Sequence, residues 1–471
     1  MKNKGAISFL SNVFYVFGSQ ILVLISGLIK ALVIPLLLDL PDYGYWQIYV
    51  FYTVYVGVFT FGYGDGLYLK YGGCQLVDLP LQRIRVANVF YFVLLGGGAA
   101  ALFAYAASNS DPQRQVVYCA VAANVVVLGI TSIVSLILQA IKHFKGYAFL
   151  NSADKVFFTL ALTTLFWEDF RAFKYLILID LIAKILILGY LLLRYRQLFM
   201  GPLSSLLEGA KEFSESVRVG IQLLVANLSG MLVLGVGRII IEYLGTLEGY
   251  AYYAFATSLA GIILIAISAL SIALFPSLRQ EPHDRYLEYF GKINRVYGVF
   301  VIALLTGYFP AVAFINLAAI EFRPALDFLN VMSVIAVLQG KIQLVNNTYY
   351  KALRLERQML IVNLGSFAAV AILSVVAFVL TEAILAIAYV TLAVMVYRSY
   401  ASELFLLRYM GGRPSIQQPV ELSGLAFFLA STSIFSFAFA FGIWVTTIGV
   451  LLIIYQKVVL GWVRNLRLLW K

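Results

Sequence analysis

The chain has 471 residues, of which 62% are apolar and only 12% are charged, and its mean hydropathy is +0.91. Soluble domains carry about 25% charged residues, so this composition excludes a soluble enzyme, a nucleic-acid-binding module and a disordered chain. The net charge of +11 and the pI of 9.4 therefore need an explanation that fits a membrane protein.

Apolar segments long enough to cross a bilayer recur along the whole chain, separated by short polar breaks. A helical span needs about 20 apolar residues, and the absence of alternating strand patterning excludes a barrel. The predicted fold class is an all-α polytopic membrane protein with about fourteen spans. In chain order the predicted spans are 11–38, 45–64, 86–107, 115–139, 150–167, 174–193, 218–242, 250–275, 293–316, 325–348, 359–380, 384–407, 422–441 and 443–462.

Lysine and arginine are unequally shared between the two sets of loops. With the N-terminus in the cytoplasm, most of them lie in cytoplasmic segments, and the outside loops hold only Arg114, Arg171, Lys174 and Arg323. The positive-inside rule therefore predicts a multi-pass membrane protein with both termini in the cytoplasm. The basic pI then reflects topology, with the anionic phospholipid surface as a partner, and no nucleic-acid partner is expected.

Two halves of the chain repeat short sequences at a nearly constant offset. Residues 140–145 recur as 352–357 at an offset of 212, and Leu193-Arg194-Tyr195 recurs as Leu407-Arg408-Tyr409 at an offset of 214. Each repeat covers six spans, so the two halves have parallel topology. Halves of this kind usually enclose a cavity near the bilayer midplane and rock against each other.

These repeats predict the domain organisation. We expect an N-lobe of spans 1–6 at 1–197 and a C-lobe of spans 7–12 at 218–410. Between them, 198–217 is predicted to be a cytoplasmic connecting segment whose residues 206–215 form a short amphipathic helix on the inner membrane surface. The remainder, 411–471, is predicted to hold spans 13 and 14 and a basic cytoplasmic tail.

Placing an ionisable residue inside a membrane span costs at least a few kcal/mol of free energy, so we first consider a functional role for each of them. The cations are Lys30, Lys184, Arg238 and Lys341, and the one clear anion is Asp180. A cavity lined by Lys and Arg suits a ligand that carries phosphate or carboxylate. We therefore predict that the four cations bind substrate. Lys30 and Arg238, each in the first span of its half, are predicted to form one cationic patch.

Each of these residues also has a structural alternative. Lys30 and Arg238 could snorkel to the headgroups. Asp180 and Lys184, four residues apart on one helix face, could form a neutral ion pair between packed helices. Asp65 could terminate a helix near the headgroups. Asp180 and Asp65 are also the candidates for coupling transport to an H⁺ or Na⁺ gradient.

Other polar residues and motifs complete the sequence-based expectations. The candidates for sugar contacts are Gln20, Gln222, Asn227 and Gln343, which would serve equally well as interhelical hydrogen bonds. Two cysteines and two histidines make a metal site improbable. The chain has no P-loop, so no cofactor and no ATP hydrolysis are expected.

Several short motifs, in order along the chain, carry a resemblance to a known family. They are Leu37-Leu38-Asp39-Leu40-Pro41-Asp42-Tyr43-Gly44, Gly62-Tyr63-Gly64, Leu234-Gly235-Val236-Gly237-Arg238 followed by Gly249-Tyr250, and Phe275-Pro276-Ser277-Leu278. With them the chain resembles, over essentially its whole length, the polysaccharide-transport (Wzx-type oligosaccharide flippase) branch of the multidrug/oligosaccharidyl-lipid/polysaccharide exporter superfamily. The family often has Asp before the arginine, where this chain has Gly237.

The resemblance implies a V-shaped bundle of two six-helix lobes with two further C-terminal helices, and alternating access. It implies a flippase of the cell inner membrane, not an enzyme, that moves undecaprenyl-pyrophosphate-linked oligosaccharide units of the O-antigen or capsule type from the inner to the outer leaflet. Such a flippase serves lipopolysaccharide biosynthesis, with the polymerase and chain-length proteins of the same pathway as candidate partners. Three alternatives stay open: a lipid II flippase, a multidrug or cation antiporter of the superfamily, and a membrane-embedded polysaccharide polymerase. The very short outside loops disfavour the polymerase.

Overall fold

The computed structural model describes residues 2–165, 172–279, 282, 285–414 and 417–449. All regular secondary structure in these ranges is helical, which confirms the predicted fold class. The α-helices are α1 (Lys2–Leu37), α2 (Leu40–Tyr55), α3 (Tyr63–Lys70), α4 (Leu81–Ala107), α5 (Pro112–Ala140), α6 (Phe144–Leu165), α7 (Phe173–Arg194), α8 (Leu206–Leu244), α9 (Leu247–Arg279), α10 (Tyr286–Leu305), α11 (Tyr308–Leu317), α12 (Leu326–Lys341), α13 (Asn347–Ala352), α14 (Glu356–Thr381), α15 (Ile384–Tyr409), α16 (Gln417–Ile434) and α17 (Phe437–Gly449). A π-helical segment, Ile342–Asn346, joins α12 to α13.

Nine helical stretches within the described ranges are long and apolar enough to cross a membrane. They are Gly18–Leu37, Leu81–Ala107, Pro112–Ala140, Phe173–Arg194, Leu206–Leu244, Tyr286–Leu317, Ile320–Ala352, Glu356–Thr381 and Ile384–Tyr409. A chain with this many apolar helices is a multi-pass membrane protein. Most of the predicted last span, 443–462, and the predicted basic tail lie outside the described residues.

The division between the last two predicted spans differs from the sequence-based expectation. Helix α16 ends at Ile434 and α17 begins at Phe437, so Gly442 lies inside a helix. The Ala440 N–H donates to the Ser436 carbonyl at 2.9 Å, which closes the first turn of α17. Serine is favoured just before a first helical turn, whereas a glycine with ordinary helical dihedrals does not end a helix.

The chain divides into two compact units, which we call unit 1 (1–232) and unit 2 (233–471). In unit 1, α5 is the central helix, because it packs against α2, α3, α4, α6 and α7. In unit 2, the central helix is α12, which packs against α9, α10, α11, α15 and α16. Buried apolar side chains line both central helices, as expected for helices surrounded on several sides.

The internal repeat at an offset of 212 is matched by the backbone. Lys142 and Arg354, which correspond at this offset, both adopt the left-handed conformation, with φ of 59° and 57°. In each copy, the amide of the next residue donates to the carbonyl five residues back, at 2.8 Å and 2.7 Å. Left-handed residues that close a helix are usually glycine or asparagine, so two long basic residues at equivalent positions support a common origin of the halves.

Residues 206–215, expected to form a separate amphipathic helix, are instead the first turns of the 39-residue helix α8. This end of α8 packs on α3 within unit 1. Lys70 bridges Glu212 at 2.7 Å and Glu215 at 3.2 Å, and a Cβ on Gly66 would lie 1.8 Å from the Ser216 carbonyl oxygen. Contact with α3 therefore keeps residues 206–215 within α8. The sequence pattern alone would place these residues at the membrane surface.

Candidate functional site

Lys30 lies inside unit 1, on the face of α1 that packs against α6. One turn before it, the buried Ser26 hydroxyl donates to the Lys155 carbonyl at 3.1 Å and lies 2.6 Å from the Thr159 hydroxyl. This contact fixes the helix face and places Lys30 Nζ 3.9 Å from the centroid of the buried Phe158 ring. A cation over an aromatic face gains about 0.5–2 kcal/mol. The half-buried lysine is thus held against a ring.

The ion pair that the four-residue spacing predicts is present on α7. The Asp180 carboxylate accepts hydrogen bonds from Lys184 Nζ and, at 2.5 Å, from the Tyr49 hydroxyl of α2. Asn124 Nδ2, from the central helix α5, donates to the Tyr49 hydroxyl oxygen at 2.9 Å. These side chains are buried. Because Tyr49 donates to Asp180 and accepts from Asn124, its hydroxyl has a fixed orientation.

Lys30, Asp180 and Lys184 act on each other electrostatically, and we call these three residues the unit 1 cluster. Its formal charge is +1. Within the described part of the chain, Lys30 has no acidic oxygen within the 4.0 Å of an ion pair. Trp46 stacks on Phe158, with ring centroids 5.7 Å apart, and so extends the aromatic surface below Lys30. An unbalanced cation in an apolar surrounding favours an anionic ligand.

Lys341, the last residue of α12, has a different environment in unit 2. Its Nζ lies 2.7 Å from Glu403 Oε2 and 2.6 Å from Glu421 Oε2, and its side chain is 1% exposed. The ammonium also lies 4.6 Å from the centroid of the Tyr400 ring. We call Lys341, Glu403 and Glu421 the unit 2 triad. Its formal charge is −1, so Lys341 brings no surplus positive charge to a substrate.

The charge balance predicted from the sequence omitted both of these carboxylates. Glu403 lies within the predicted span 384–407, and Glu421 directly precedes the span 422–441. A full inventory of charges in and beside the spans would have found the two glutamates. Their convergence on Lys341 had no sequence signal, because the three residues come from three different helices.

Arg238 belongs to the part of α8 that lies in unit 2. Its half-buried guanidinium donates from Nη2 to the Ala254 carbonyl at 3.4 Å. A Cβ on the preceding Gly237 would lie 2.6 Å from the Tyr253 hydroxyl oxygen, so the Asp that the family often has here would collide with a buried tyrosine. Lys30 and Arg238 lie in different units, and their common patch stays a prediction.

The remaining candidates have varied surroundings. Asp65 is half-buried in the first turn of α3, where a carboxylate is favoured by the helix dipole, so it starts a helix instead of ending one. Burial raises the pKa of the Asp65 carboxyl above its ordinary range, and a backbone hydrogen bond partly opposes this shift.

The four candidate sugar contacts differ in exposure. Gln20 on α1 is half-buried. The other three are exposed: Gln222 and Asn227 on α8, and Gln343 in the π-helical segment. Their roles in sugar binding stay predictions.

The fold is similar to that of known membrane transporters. A solved structure described as "Lipid II flippase MurJ, inward closed conformation" matches with a TM-score of 0.68 and 12% identity, covering 96% of this chain and 100% of the other. One described as "Crystal structure of MATE in complex with MaL6" matches with a TM-score of 0.51 and 12% identity, covering 85% of this chain and 96% of the other. No family model and no curated protein sequence matches the chain.

The chain therefore has the fold of these two solved structures. At 12% identity the likeness concerns the fold alone. Substrate must therefore be argued from the charged side chains of this chain.

Proposed function

We propose that this protein is a flippase of the cell inner membrane that moves undecaprenyl-pyrophosphate-linked oligosaccharide units, of the O-antigen or capsule type, from the inner to the outer leaflet by alternating access. The observation that carries the proposal is Lys30, a cation that has no acidic oxygen within 4.0 Å among the described residues and that is held against Phe158 among membrane helices. The similarity of fold to a protein described as a lipid II flippase supports it.

The unit 1 cluster has the chemistry that a pyrophosphate headgroup requires. Lys30 Nζ carries three donors and uses none in an ion pair within the described residues, so phosphate oxygens can take them as charge-assisted hydrogen bonds. Asp180 holds Lys184 in place, and Lys184 keeps donors beyond the one given to Asp180. The polyisoprenoid tail would stay in lipid while the headgroup passes the cluster. Arg238 stays a predicted substrate-binding residue.

A lipid II flippase is the second candidate, favoured by the similarity of fold, at a TM-score of 0.68, to the protein described as a lipid II flippase. Its substrate would place the same kind of anionic headgroup against Lys30. A cation or drug antiporter finds less support, because the Lys341 ammonium contacts both carboxylates of the unit 2 triad and would repel a cationic substrate there.

The test is transport of a fluorescent undecaprenyl-pyrophosphate oligosaccharide by the purified chain in proteoliposomes. Lys30→Ala and Arg238→Ala should abolish transport while expression stays normal. The matched control is Lys292→Ala, which removes an exposed lysine on α10. Transport by both site variants at the wild-type rate would remove the cationic-site proposal.

Cells separate the two candidate substrates. In a strain that lacks this protein, the Lys30→Ala and Arg238→Ala variants should fail to restore surface polysaccharide display, whereas Lys292→Ala restores it. If depletion of the protein lyses cells and leaves the surface polysaccharide intact, the substrate is lipid II.

A further inference from the structure

The unit 2 triad places two buried carboxylates on one ammonium. Glu403 comes from α15, Glu421 from α16 and Lys341 from α12, and both carboxylate oxygens lie within 2.7 Å of the same Nζ. One ammonium balances only one carboxylate. A surplus negative charge enclosed by protein is costly unless something neutralises it.

A second observation is that the two carboxylates have few hydrogen-bond donors. The Glu421 side chain is only 8% exposed. Apart from the Lys341 ammonium and the Tyr400 side chain, which hydrogen-bonds to Glu421, the described residues give no hydrogen bond to Glu421 Oε1 or to Glu403 Oε2. A proton shared by the two carboxylates would neutralise the surplus charge of the triad and leave one of them ionised beside Lys341. Such a proton would therefore relieve the unfavourable energy of a buried unpaired charge.

We propose that Glu403 and Glu421 bind one proton between them, and that this proton is the coupling ion of the transport proposed above, on which this inference partly rests. Binding changes the formal charge of the triad from −1 to 0. It also weakens the ion pair that joins α16 to α12, because a neutral carboxyl attracts an ammonium less than a carboxylate does. Protonation thereby loosens α16 within unit 2.

The geometry favours a proton over a metal cation. The Lys341 ammonium already contacts both carboxylates, so a sodium ion bound to them would lie beside another positive charge and be repelled. Within the described ranges, no group of three or more His, Cys, Asp or Glu residues could hold a metal ion. A proton needs no coordination shell and fits on a single oxygen.

Within the described residues, the other titratable and charged groups around the pair come from α10 and α15. Tyr400 of α15 lies beside Lys341 and Glu421. Tyr297 of α10 faces Glu421 and donates its hydroxyl to the Val337 carbonyl at 2.6 Å. Arg398, also on α15 and buried, gives Nη2 to Asn363 Oδ1 at 2.7 Å. None of these contacts supplies the second positive charge that would balance the second carboxylate.

The backbone beside the triad is irregular in a way that fits a moving part. Lys341 directly precedes the π-helical segment Ile342–Asn346, whose Asn346 Nδ2 donates to the Ser399 carbonyl of α15 at 3.0 Å. Single π-helical turns inside α-helices occur frequently at functional sites. The π-helical segment thus begins directly after the ammonium that contacts both carboxylates.

The experiment measures proton uptake by the purified full chain in detergent micelles, without any lipid-linked substrate. Acidification from about pH 8 to about pH 6 stays above the range in which an exposed Glu titrates, about 4.3. We expect Glu421→Gln and Glu403→Gln each to take up about one proton per chain less than the wild type over this range. Glu288→Gln, which removes an exposed carboxylate on α10, should leave uptake unchanged.

Wild-type uptake in both Glu421→Gln and Glu403→Gln would overturn the proposal. So would loss of the uptake when Na⁺ replaces choline at equal ionic strength, because the site would then bind a metal cation. Two separate variants keep the test valid if one of them does not fold. Since no transported substrate is present, a positive result stands even if the flippase proposal fails, and a negative one leaves that proposal intact.

Discussion

The unit 1 cluster and the unit 2 triad carry opposite formal charges inside a membrane protein. The cluster combines two lysines with one aspartate and leaves Lys30 half-buried against a ring. The triad combines two glutamates with one lysine that is 1% exposed. The first has a surplus of positive charge that suits an anionic headgroup. The second has a surplus of negative charge, enclosed in protein, that suits a proton.

The internal repeat shows how the two halves diverged. An offset of 212 aligns Lys341 on the central helix α12 with Gly129 on the central helix α5. A Cβ on Gly129 would lie 2.6 Å from a methyl carbon of Leu95, so in unit 1 the Leu95 side chain occupies the place next to the position where unit 2 has its buried ammonium. The charge of unit 1 is instead held on α1 and α7. The same architecture thus positions charge differently in its two copies.

The largest effect is expected from Lys341→Met. It leaves two buried carboxylates without a cation, and removing one side of a buried ion pair costs about 3–5 kcal/mol. Thermal unfolding in detergent should show a large loss of stability. The triple variant with Glu403→Gln and Glu421→Gln should recover most of it, and Lys292→Met should resemble wild type. A normal unfolding temperature for Lys341→Met alone would show that the triad is not ionised as proposed.

Asp180→Asn should have the next largest effect, a loss of about 3 kcal/mol in the free energy of unfolding. The substitution leaves Lys184 as a buried cation without its anion. The matched change in unit 2, Glu421→Gln, should cost far less, since Lys341 keeps Glu403. Both are measured by thermal unfolding of the purified chain. Equal losses for the two variants would contradict the opposite surplus charges of the two regions.

Tyr49→Phe should destabilise the protein by about 1–2 kcal/mol. Asp180 loses one hydrogen-bond donor and Asn124 Nδ2 loses the hydroxyl that it contacts, while packing is kept. The control is Tyr45→Phe, which removes a hydroxyl that donates to the partly exposed Asp111 at 2.8 Å. If Tyr45→Phe costs as much as Tyr49→Phe, the buried network does not add the stability proposed for it.

Lys30→Met should have the smallest effect on stability, within about 1 kcal/mol, because the cation–π contact with Phe158 is lost while Asp180 keeps its ion pair with Lys184. Binding of a pyrophosphate-bearing headgroup should nevertheless weaken about tenfold or more, since a hydrogen bond to a charged group contributes about 1.5–3 kcal/mol. Titration of a labelled headgroup analogue measures this, and Lys292→Met is the control. Unchanged affinity would remove Lys30 from the site.

Local and periodic features of the sequence determined the fold class of this protein, one of its ion pairs and a turn that occurs in both halves. The length and spacing of the apolar segments gave the all-helical membrane fold, because each helix satisfies its own backbone in lipid. The spacing of Asp180 and Lys184 gave their ion pair, since residues four apart share a helix face. The offset of 212 between Lys142 and Arg354 located a turn that the backbone repeats.

Only the tertiary structure decided which charges meet. Lys341 and Glu421 are 80 residues apart in sequence, and packing of three helices makes them partners. The collision that excludes an aspartate at Gly237, and the contact of Gly66 with α8 that holds residues 206–215 in a longer helix, also depend on neighbours distant along the chain. Sequence periodicity reports which face of a helix is apolar, whereas the sign of the charge at a buried site depends on which faces pack together.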